Sequence, residues 1–409
     1  MDNTQRQFID ILSDGIRGAS AEKYYENVDW DEVLELANKH KVEGIIYLAL
    51  RKGSLVSKIG NDRLNILKKK AAITGIGQSR HISGLSEVLA KINEREIPVI
   101  VLKGLVVREF YPQPDQRSMS DADILVHKDD VETVKQILID MGYVFLEDHK
   151  ASHHIALVHH KYPVVEVHWH LFKRDGFSNE LEHYERLIWK RAIDINVGKE
   201  SALSLAYDDL ALHLCMHMAA HLAATGFGVR QLCDLVLLVE KKGNEIDWNS
   251  FIMKARMYGF EKFSLIMFLL CKELFNMEVP KGIDIKFVSN KKYVAALIDE
   301  IFESGVHGKK EMANQFATQV AFNFEDKDGN ATLGAIKRYF RFIFPSVDSM
   351  SEKYNYAKKI KILTPIAWIH HLFAGIFFDG YTFKDKYEFL TKGAIVAINR
   401  NKLLEWMEL

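Results

Sequence analysis

The stretch SDADILV, residues 120–126, sets two carboxylates one residue apart at the mouth of an apolar run. Strand side chains alternate between faces, so Asp121 and Asp123 share one face with Leu125, while Ala122, Ile124 and Val126 take the other, towards a core. On a strand, the Cα atoms of such a pair lie about 6.5–7 Å apart. Two anions so placed repel, and each favours keeping a proton. A divalent cation reverses this, because Mg2+ takes oxygen ligands and commonly accepts one or two carboxylates plus substrate phosphates. The pair therefore either sits solvated at a strand end or holds a cation.

A second stretch, VVEVHWHLF at 164–172, bears on that choice. Glu166, His168 and His170 share one face, and Val165, Val167, Trp169 and Leu171 share the other. The clean apolar face belongs to a core, so the carboxylate and the two imidazoles look towards water or a cleft. If this strand neighbours ADILV, Glu166 joins the two aspartates. Three carboxylates can hold one or two metal ions and deprotonate an acceptor hydroxyl. Upstream, VLKG at 101–104 ends a β-branched run with a glycine that opens a short helix. Backbone N–H groups at such a junction can face an anion, and Gly104 would let that backbone come close. Lys103 adds a point charge, and Arg117 could fork onto phosphate oxygens.

The chain has 17 histidines, eleven of them clustered at 153–154, 159–160, 168, 170, 213, 217, 221 and 370–371. His213, His217 and His221 are four apart on one helix stripe, close to Leu210 and Leu214. Three readings stand: a hydrogen-bonded helix contact, the lining of a nucleotide pocket, or a dedicated metal site. No HEXXH occurs, which argues against a zincin. Arg230 and Asp234, one helical turn apart, either pair together or leave Arg230 to a phosphate. The aromatics Tyr339, Phe340, Phe342, Phe344 and Trp368 read as core, with a docking groove as the alternative.

These residues need elements to position them. Strands are expected at IPVIVLKG (97–104), ADILV, YVFLE and in a hairpin of HHIALVHH with VVEVHWHLF. Helical periodicity covers the segments before and after, including DWDEVLELANKHKVEGIIYLALRKG with Asp29 or Asp31 as cap, 79–96, DDVETVKQILIDM closed by Gly142, and DDLALHLCMHMAAHLAA. FEDKDGNAT reads as a polar loop. The fold class is α+β: a small mixed sheet embedded in a largely helical chain. Its parts are a helical region at 1–90, the α/β core at 91–175, a helical domain at 176–284 and a C-terminal helical region at 285–409.

The bulk numbers fit a soluble globular protein of two or three packed units. The chain has 409 residues, 48% hydrophobic and 27% charged, with 54 basic against 55 acidic residues and a formal charge of −1. That balance gives no general pull towards long nucleic acid or anionic lipid. Cys215, Cys233 and Cys271 are widely spaced, form no CxxC and suit a reducing cytoplasm. The N-terminus lacks the basic-then-apolar pattern of a signal peptide. ILTPIAWIHHLFAGIFF at 362–378, broken by Pro365, His370 and His371, falls short of the ~20 apolar residues of a span. It reads as a buried or interfacial helix.

Glycine, a short helix, Asp-x-Asp on the next strand and a later acidic strand residue together resemble the nucleotidyltransferase superfamily with the DNA polymerase β-like fold. The closer resemblance is to the uncharacterised nucleotidyltransferase family, whose successive blocks are similar to VLKG at 101–104, YPQPDQRSMSDADILV at 111–126, MGYVF at 141–145 and VEVHWHLF at 165–172. Flanking stretches from VDWDEVLELANKHKVEGIIYLAL to LHLCMHMAAH, VRQLCDLVLLV and FPS at 344–346 extend the likeness. The resemblance implies a nucleotidyltransferase core, with Asp121 and Asp123 as ligands of Mg2+ (or Mn2+), Glu166 as third carboxylate and Gly104 near the nucleotide phosphates. Leu105 departs from the superfamily, where glycine or serine follows the glycine. It leaves the grip on the NTP to Lys103, Arg117 or other groups; His168, His217 and Arg230 are further candidates. The expected reaction moves a nucleoside monophosphate to an acceptor hydroxyl and releases pyrophosphate. The acceptor stays open among peptide, protein, sugar and small metabolite. The alternatives are a kinase on the same fold, a non-catalytic nucleotide- or partner-binding module favoured by Leu105, and a histidine-based metal-dependent hydrolase.

Overall fold

The computed structural model describes residues 1–22, 27–146, 154–171, 179–306, 344–377 and 398–409, with backbone only at 179–183 and 371–377. His153, the 324–332 loop, Tyr339, Phe340, Phe342 and the His371 side chain lie outside the described residues.

Seven strands form one mixed sheet in the order β3-β4-β5-β2-β1-β7-β6. They are β1 (Ile100–Val101), β2 (Asp121–Leu125), β3 (Val144–Leu146), β4 (His154–Val158), β5 (Val164–His168), β6 (Ile193–Val197) and β7 (Glu200–Ser204). β1 and β2 are antiparallel, whereas β2 runs parallel to β5 and β1 parallel to β7. Both edges are antiparallel hairpins, β4–β5 extended by β3 on one side and β6–β7 on the other. Ala122, Ile124, Val126, Val165 and Val167 are buried, as their alternation predicts. Asp123 and Leu125 are buried as well. The polar face of β2 therefore meets protein, not bulk water.

Helices flank the sheet in sequence. Before it come α1 (Asn3–Ile16), α2 (Trp30–His40), α3 (Glu43–Leu50), α4 (Val56–Ile59) and α5 (Asn61–Asn93). Asp29 caps α2 by accepting the N–H groups of Asp31 and Glu32. The helical pattern at 79–96 belongs to α5, a single helix of 33 residues. Its stripe Leu67, Ala71, Gln78, His81, Leu85, Val88 and Ile92 is buried at helical spacing. Gly84 allows α5 to lie against the β4–β5 turn, since a Cβ there would come within 2.7 Å of the Tyr162 ring. Within the core, α6 (Gly104–Val107) is one turn and α7 (Val131–Asp140) ends before Gly142, whose φ of 92° only glycine adopts readily. α8 (Asn179–Arg191) comes between β5 and β6, and after β7 come α9 (Tyr207–Ala224), α10 (Val229–Lys242), α11 (Trp248–Met257), α12 (Glu261–Phe275) and α13 (Lys291–Ser304).

Two features differ from the sequence reading. The β6–β7 hairpin was not anticipated, although Ile193, Ile195 and Val197 alternate with Asp194 and Asn196 and Gly198 turns at φ 62°. β5 ends at His168, so His170 leaves the strand and its Nδ1 lies 2.7 Å from Glu185 of α8.

Two compact units make up the chain. Met1–Met218 with Gly228–Ser289 form the first, which holds the sheet; Ala219–Phe227 with Asn290–Leu409 form the second. In the second, Val347, Met350, Tyr354, Ala357 and Ala367 form a small core flanked by Trp368. Among the described residues no helix is long and apolar enough to cross a membrane; the apolar stretch at 362–378 yields a 14-residue helix, Thr364–Phe377.

Candidate active site

Strand register decides which carboxylates meet. Because β2 and β5 are parallel, Asp123 stands opposite Glu166 and Leu125 opposite His168. Residues paired in register point to the same side of the sheet. Asp121 lies two residues back on that face and Ser120 donates to its Oδ1 at 3.2 Å.

Asp123 is the centre of the arrangement. Lys103 Nζ lies 3.0 Å from its Oδ1, and His168 Nε2 lies 3.1 Å from the same oxygen. His168 Nε2 also comes within 3.4 Å of Glu166 Oε2. Burial alone would raise the Asp123 pKa, but the Lys103 ammonium and then His168 hold it well below the usual carboxylate range. Burial and the Asp123 charge raise Asp121 despite Lys103, as two neighbouring anions require. Burial opposes a charge on His168, yet its hydrogen bonds to Asp123 and Glu166 outweigh that and raise its pKa.

The positions of these groups follow from local backbone. β1 pairs with β2, and Leu102 N–H donates to the Asp123 carbonyl at 3.0 Å, which extends the pairing to the edge of the α6 turn. Lys103 then takes a φ of 50°, a left-handed value costly outside glycine, and its side chain lies along Asp123. Such strain persists where surrounding contacts over-determine it, and it gathers at functional sites. Gly104 is buried against Arg117 and Met119, and a Cβ would collide with the Arg117 guanidinium. In this structure its missing side chain therefore makes room for Arg117. Leu105 is buried in the core.

Arg117 is anchored. Its Nη2 donates to Asp234 Oδ2 at 2.5 Å and its Nε to Oδ1 at 3.2 Å, while Tyr111 hydroxyl donates to Oδ1 at 2.7 Å. Asp234 thus pairs with Arg117, and Arg230 instead donates through Nη1 to the Ser118 carbonyl and hydroxyl, both at 2.7 Å. Burial and then the Arg117 charge lower Arg230 to about 10. Arg230 of α10 thus clasps the segment leading into Asp121, and Arg117, within that segment, ties it to Asp234 of the same helix.

Helix α9 brings histidines to the same centre. Burial lowers His213 to about 3, with Lys103, Asp123 and His168 as its electrostatic neighbours. His217 contributes to the low pKa of Asp123, and its ring lies 6.5 Å from that of His213. Two histidines that carried no expectation as site residues also border the cluster. His154 stands opposite His168 in the β4–β5 register, with ring centroids 4.9 Å apart. His81 of α5 is hydrogen-bonded to the Asp121 backbone, and burial followed by the Arg108 charge lowers it to about 4. The hairpin register contains the signal for His154; nothing local in α5 marks His81.

A family model described as uncharacterised nucleotidyltransferase matches residues 26–276, a span that includes the whole cluster. The chain belongs to the uncharacterised nucleotidyltransferase family. No curated protein matches it. One solved structure that this nucleotidyltransferase family chain is similar to is the solution structure of the antibiotic-resistance factor ANT(2'')-Ia, at 9% identity and a TM-score of 0.33, over 45% of this chain and 96% of that one.

The donor set of the nucleotidyltransferase core suits a cation. Asp123, Glu166 and His168 each offer one ligand atom, and these atoms all lie within 4.8 Å of one another. Lys103 already supplies one positive charge at Asp123 Oδ1. The oxygens of Asp121, Asp123 and Glu166 are of the hard type that Mg2+ or Mn2+ takes.

Proposed function

We propose that this chain transfers a nucleoside monophosphate from an NTP to an acceptor hydroxyl, with Mg2+ or Mn2+ held by Asp121, Asp123 and Glu166. The observation that carries this reading is the parallel register that sets Asp123 opposite Glu166 in a chain of a nucleotidyltransferase family. A divalent ion there would neutralise charge on the triphosphate and on the leaving pyrophosphate.

The chain's own residues then have distinct tasks. Glu166, half-buried and on the face shared with Asp123, accepts the proton of the acceptor hydroxyl. The acceptor oxygen forms a bond to the α-phosphorus, and the bond from that phosphorus to the bridging oxygen breaks to release pyrophosphate. Lys103 supplies a cationic contact for phosphate oxygens beside Asp123, and Arg230 supplies another beside Ser118. Arg117, fixed by Asp234, acts through position: it packs on Gly104 and holds the entry to β2. His168 and His217 line the nucleotide side of the cluster. Helices around the sheet exclude water, which strengthens each of these interactions. The acceptor is a small hydroxyl compound, sugar, peptide or protein, in keeping with the neutral overall charge.

The test is incubation of the full chain with each α-labelled NTP, Mg2+ or Mn2+ and a cell extract. Labelled adduct with pyrophosphate is expected from the wild type and not from Asp121→Asn or Asp123→Asn. A nucleoside diphosphate as product would replace this reading with γ-phosphate transfer. NTP binding that ignores both metal and substitutions would replace it with a non-catalytic module.

A further inference from the structure

We infer that His168 is itself a metal ligand, so that the site is an Asp123–Glu166–His168 set that selects a divalent first-row transition ion over Mg2+. This rests on the cation-dependent reading above and deepens it by naming the class of metal.

The geometry comes from one strand pair. Glu166 and His168 are two apart on β5 and share a face, and β2 delivers Asp123 directly opposite Glu166. The imidazole is thereby set one step along the strand from the carboxylate pair. Its Nε2 lies 3.1 Å from Asp123 Oδ1 and 3.4 Å from Glu166 Oε2, and the three donor atoms fall within 4.8 Å of one another. His168 is 6% exposed, so water cannot readily stand in for it. The Lys103 ammonium, 3.0 Å from the Asp123 oxygen that His168 also approaches, marks where the protein stabilises positive charge.

Ligand type then sorts the ions. Mg2+ is a hard cation that takes oxygen, keeps several waters and dehydrates reluctantly. The Nε2 proton that Asp123 and Glu166 favour must leave before the ring can bind a metal. Neutral imidazole then suits Zn2+, Fe2+ and their neighbours, and affinity at a mixed nitrogen and oxygen site rises along the first row. Asp121 offers only oxygen on the other side of Asp123. The cluster is therefore lopsided: one corner holds a nitrogen donor and the other holds carboxylates alone. The corner with nitrogen is the part that discriminates.

Mn2+ is the probe, because it accepts both donor types and its pulsed EPR spectrum registers a directly bonded 14N. The full chain is loaded with less than one equivalent of Mn2+, and competition with Mg2+ is followed by calorimetry. Directly coordinated 14N is expected in the wild type. In His168→Gln it should vanish while Mn2+ affinity falls about 10-fold or more and the preference over Mg2+ shrinks. In His154→Gln and His217→Gln it should persist. The wild-type spectrum decides whether any imidazole is bound even if His168→Gln fails to fold. Mn2+ bound without 14N coupling overturns the inference and leaves the carboxylate site standing. Coupling that survives His168→Gln, or is lost in His154→Gln or His217→Gln instead, also overturns it. No Mn2+ binding with NTP present overturns both this inference and the reaction proposed above.

Discussion

Two buried charge clusters in the first unit differ in what they leave over. At the junction of α8, α9 and α11, Arg191 Nη2 lies 2.5 Å from Asp208 Oδ1 and Nη1 lies 3.2 Å from Asp209 Oδ2. Lys254 Nζ bridges Asp208, at 2.8 Å, and Asp209, while Ser250 donates to Asp208 at 2.9 Å. Two acids meet two bases, and the network closes. Burial opposes ionisation of Asp208, but Arg191, Lys254 and Ser250 together hold it at about 2. Around Asp123, three carboxylates meet the ammonium of Lys103 and one imidazole, His168, whose hydrogen bonds to Asp123 and Glu166 raise its pKa. A structural cluster cancels its charge; this one keeps a surplus of negative charge, and a divalent cation is the ligand that would cancel it.

The comparison breaks most readily through the surplus acids. Glu166→Gln and Asp121→Asn each remove a charge that repels Asp123. Transfer from α-labelled NTP should fall about 100- to 1,000-fold, while the thermal midpoint stays level or rises. A fall in midpoint with activity intact would mean these acids are structural after all. The network predicts the opposite pairing of effects. Asp208→Asn leaves the buried Lys254 with Asp209 alone and removes a contact from the part-exposed Arg191, so it should cost about 1–3 kcal/mol in urea unfolding. Transfer per folded molecule should be unchanged. Loss of activity at full stability in Asp208→Asn would erase the distinction between the clusters.

How much of this was legible in the sequence follows the range of the signal. Alternation in SDADILV and VVEVHWHLF gave the strands, the buried faces and the side on which Asp123 and Glu166 stand, and the structure joins β2 to β5. The fold class followed from a short β-branched core between helical segments. The β6–β7 hairpin shows the same alternation in IDINV, but its strands are five residues each and β7, ESALS, is mostly polar and does not alternate, so the pair reads weakly beside the long helices around it. Pairings between distant segments were not legible. Arg117 reaches Asp234 across 117 residues, a contact that only the packing of α10 creates, so a local reading turned to Arg230 as the partner one helical turn away. Lys103 has a similar history: its charge is apparent in VLKG, but its positive φ and its direction onto Asp123 depend on the β1–β2 pairing.

A buried histidine held neutral gives a third case. His40 of α2 is fully buried, its Nδ1 accepts the Val229 N–H at 3.2 Å, and burial followed by the charges of Lys39 and Arg230 lowers it to about 3. The unfolded chain binds a proton near pH 6.5 that the folded chain refuses. Stability is thus complete above about pH 6.5 and declines as pH falls towards about 3, by up to about 1.4 kcal/mol per pH unit. His40→Asn keeps an acceptor near the Val229 N–H and removes the titration. Its urea midpoint should vary less steeply between pH 6.5 and 4.5 than that of the wild type, a window that lies inside the His40 shift from 6.5 to about 3. Parallel profiles would show that His40 is charged in the folded chain, and that burial alone does not neutralise a group here.

The smallest effect belongs to an ion pair with good geometry and no burial. Arg63 Nη2 lies 2.7 Å from Asp31 Oδ2 and its Nε lies 2.8 Å from Oδ1, a two-pronged contact as tight as those around Asp208. The side chains are 41% and 75% exposed, however, so water and salt screen the attraction. Arg63→Ala should shift the urea midpoint far less than Asp208→Asn, and raising the salt concentration should erase the difference from wild type. Hydrogen-bond lengths would predict equal losses from the two substitutions, whereas burial predicts unequal ones. A loss from Arg63→Ala that matches Asp208→Asn and persists in high salt would show that contact geometry, and not desolvation, sets the energies. The contrast between a closed network and a surplus of buried negative charge would then lose its physical basis, because neither cluster would be distinguished by being out of water.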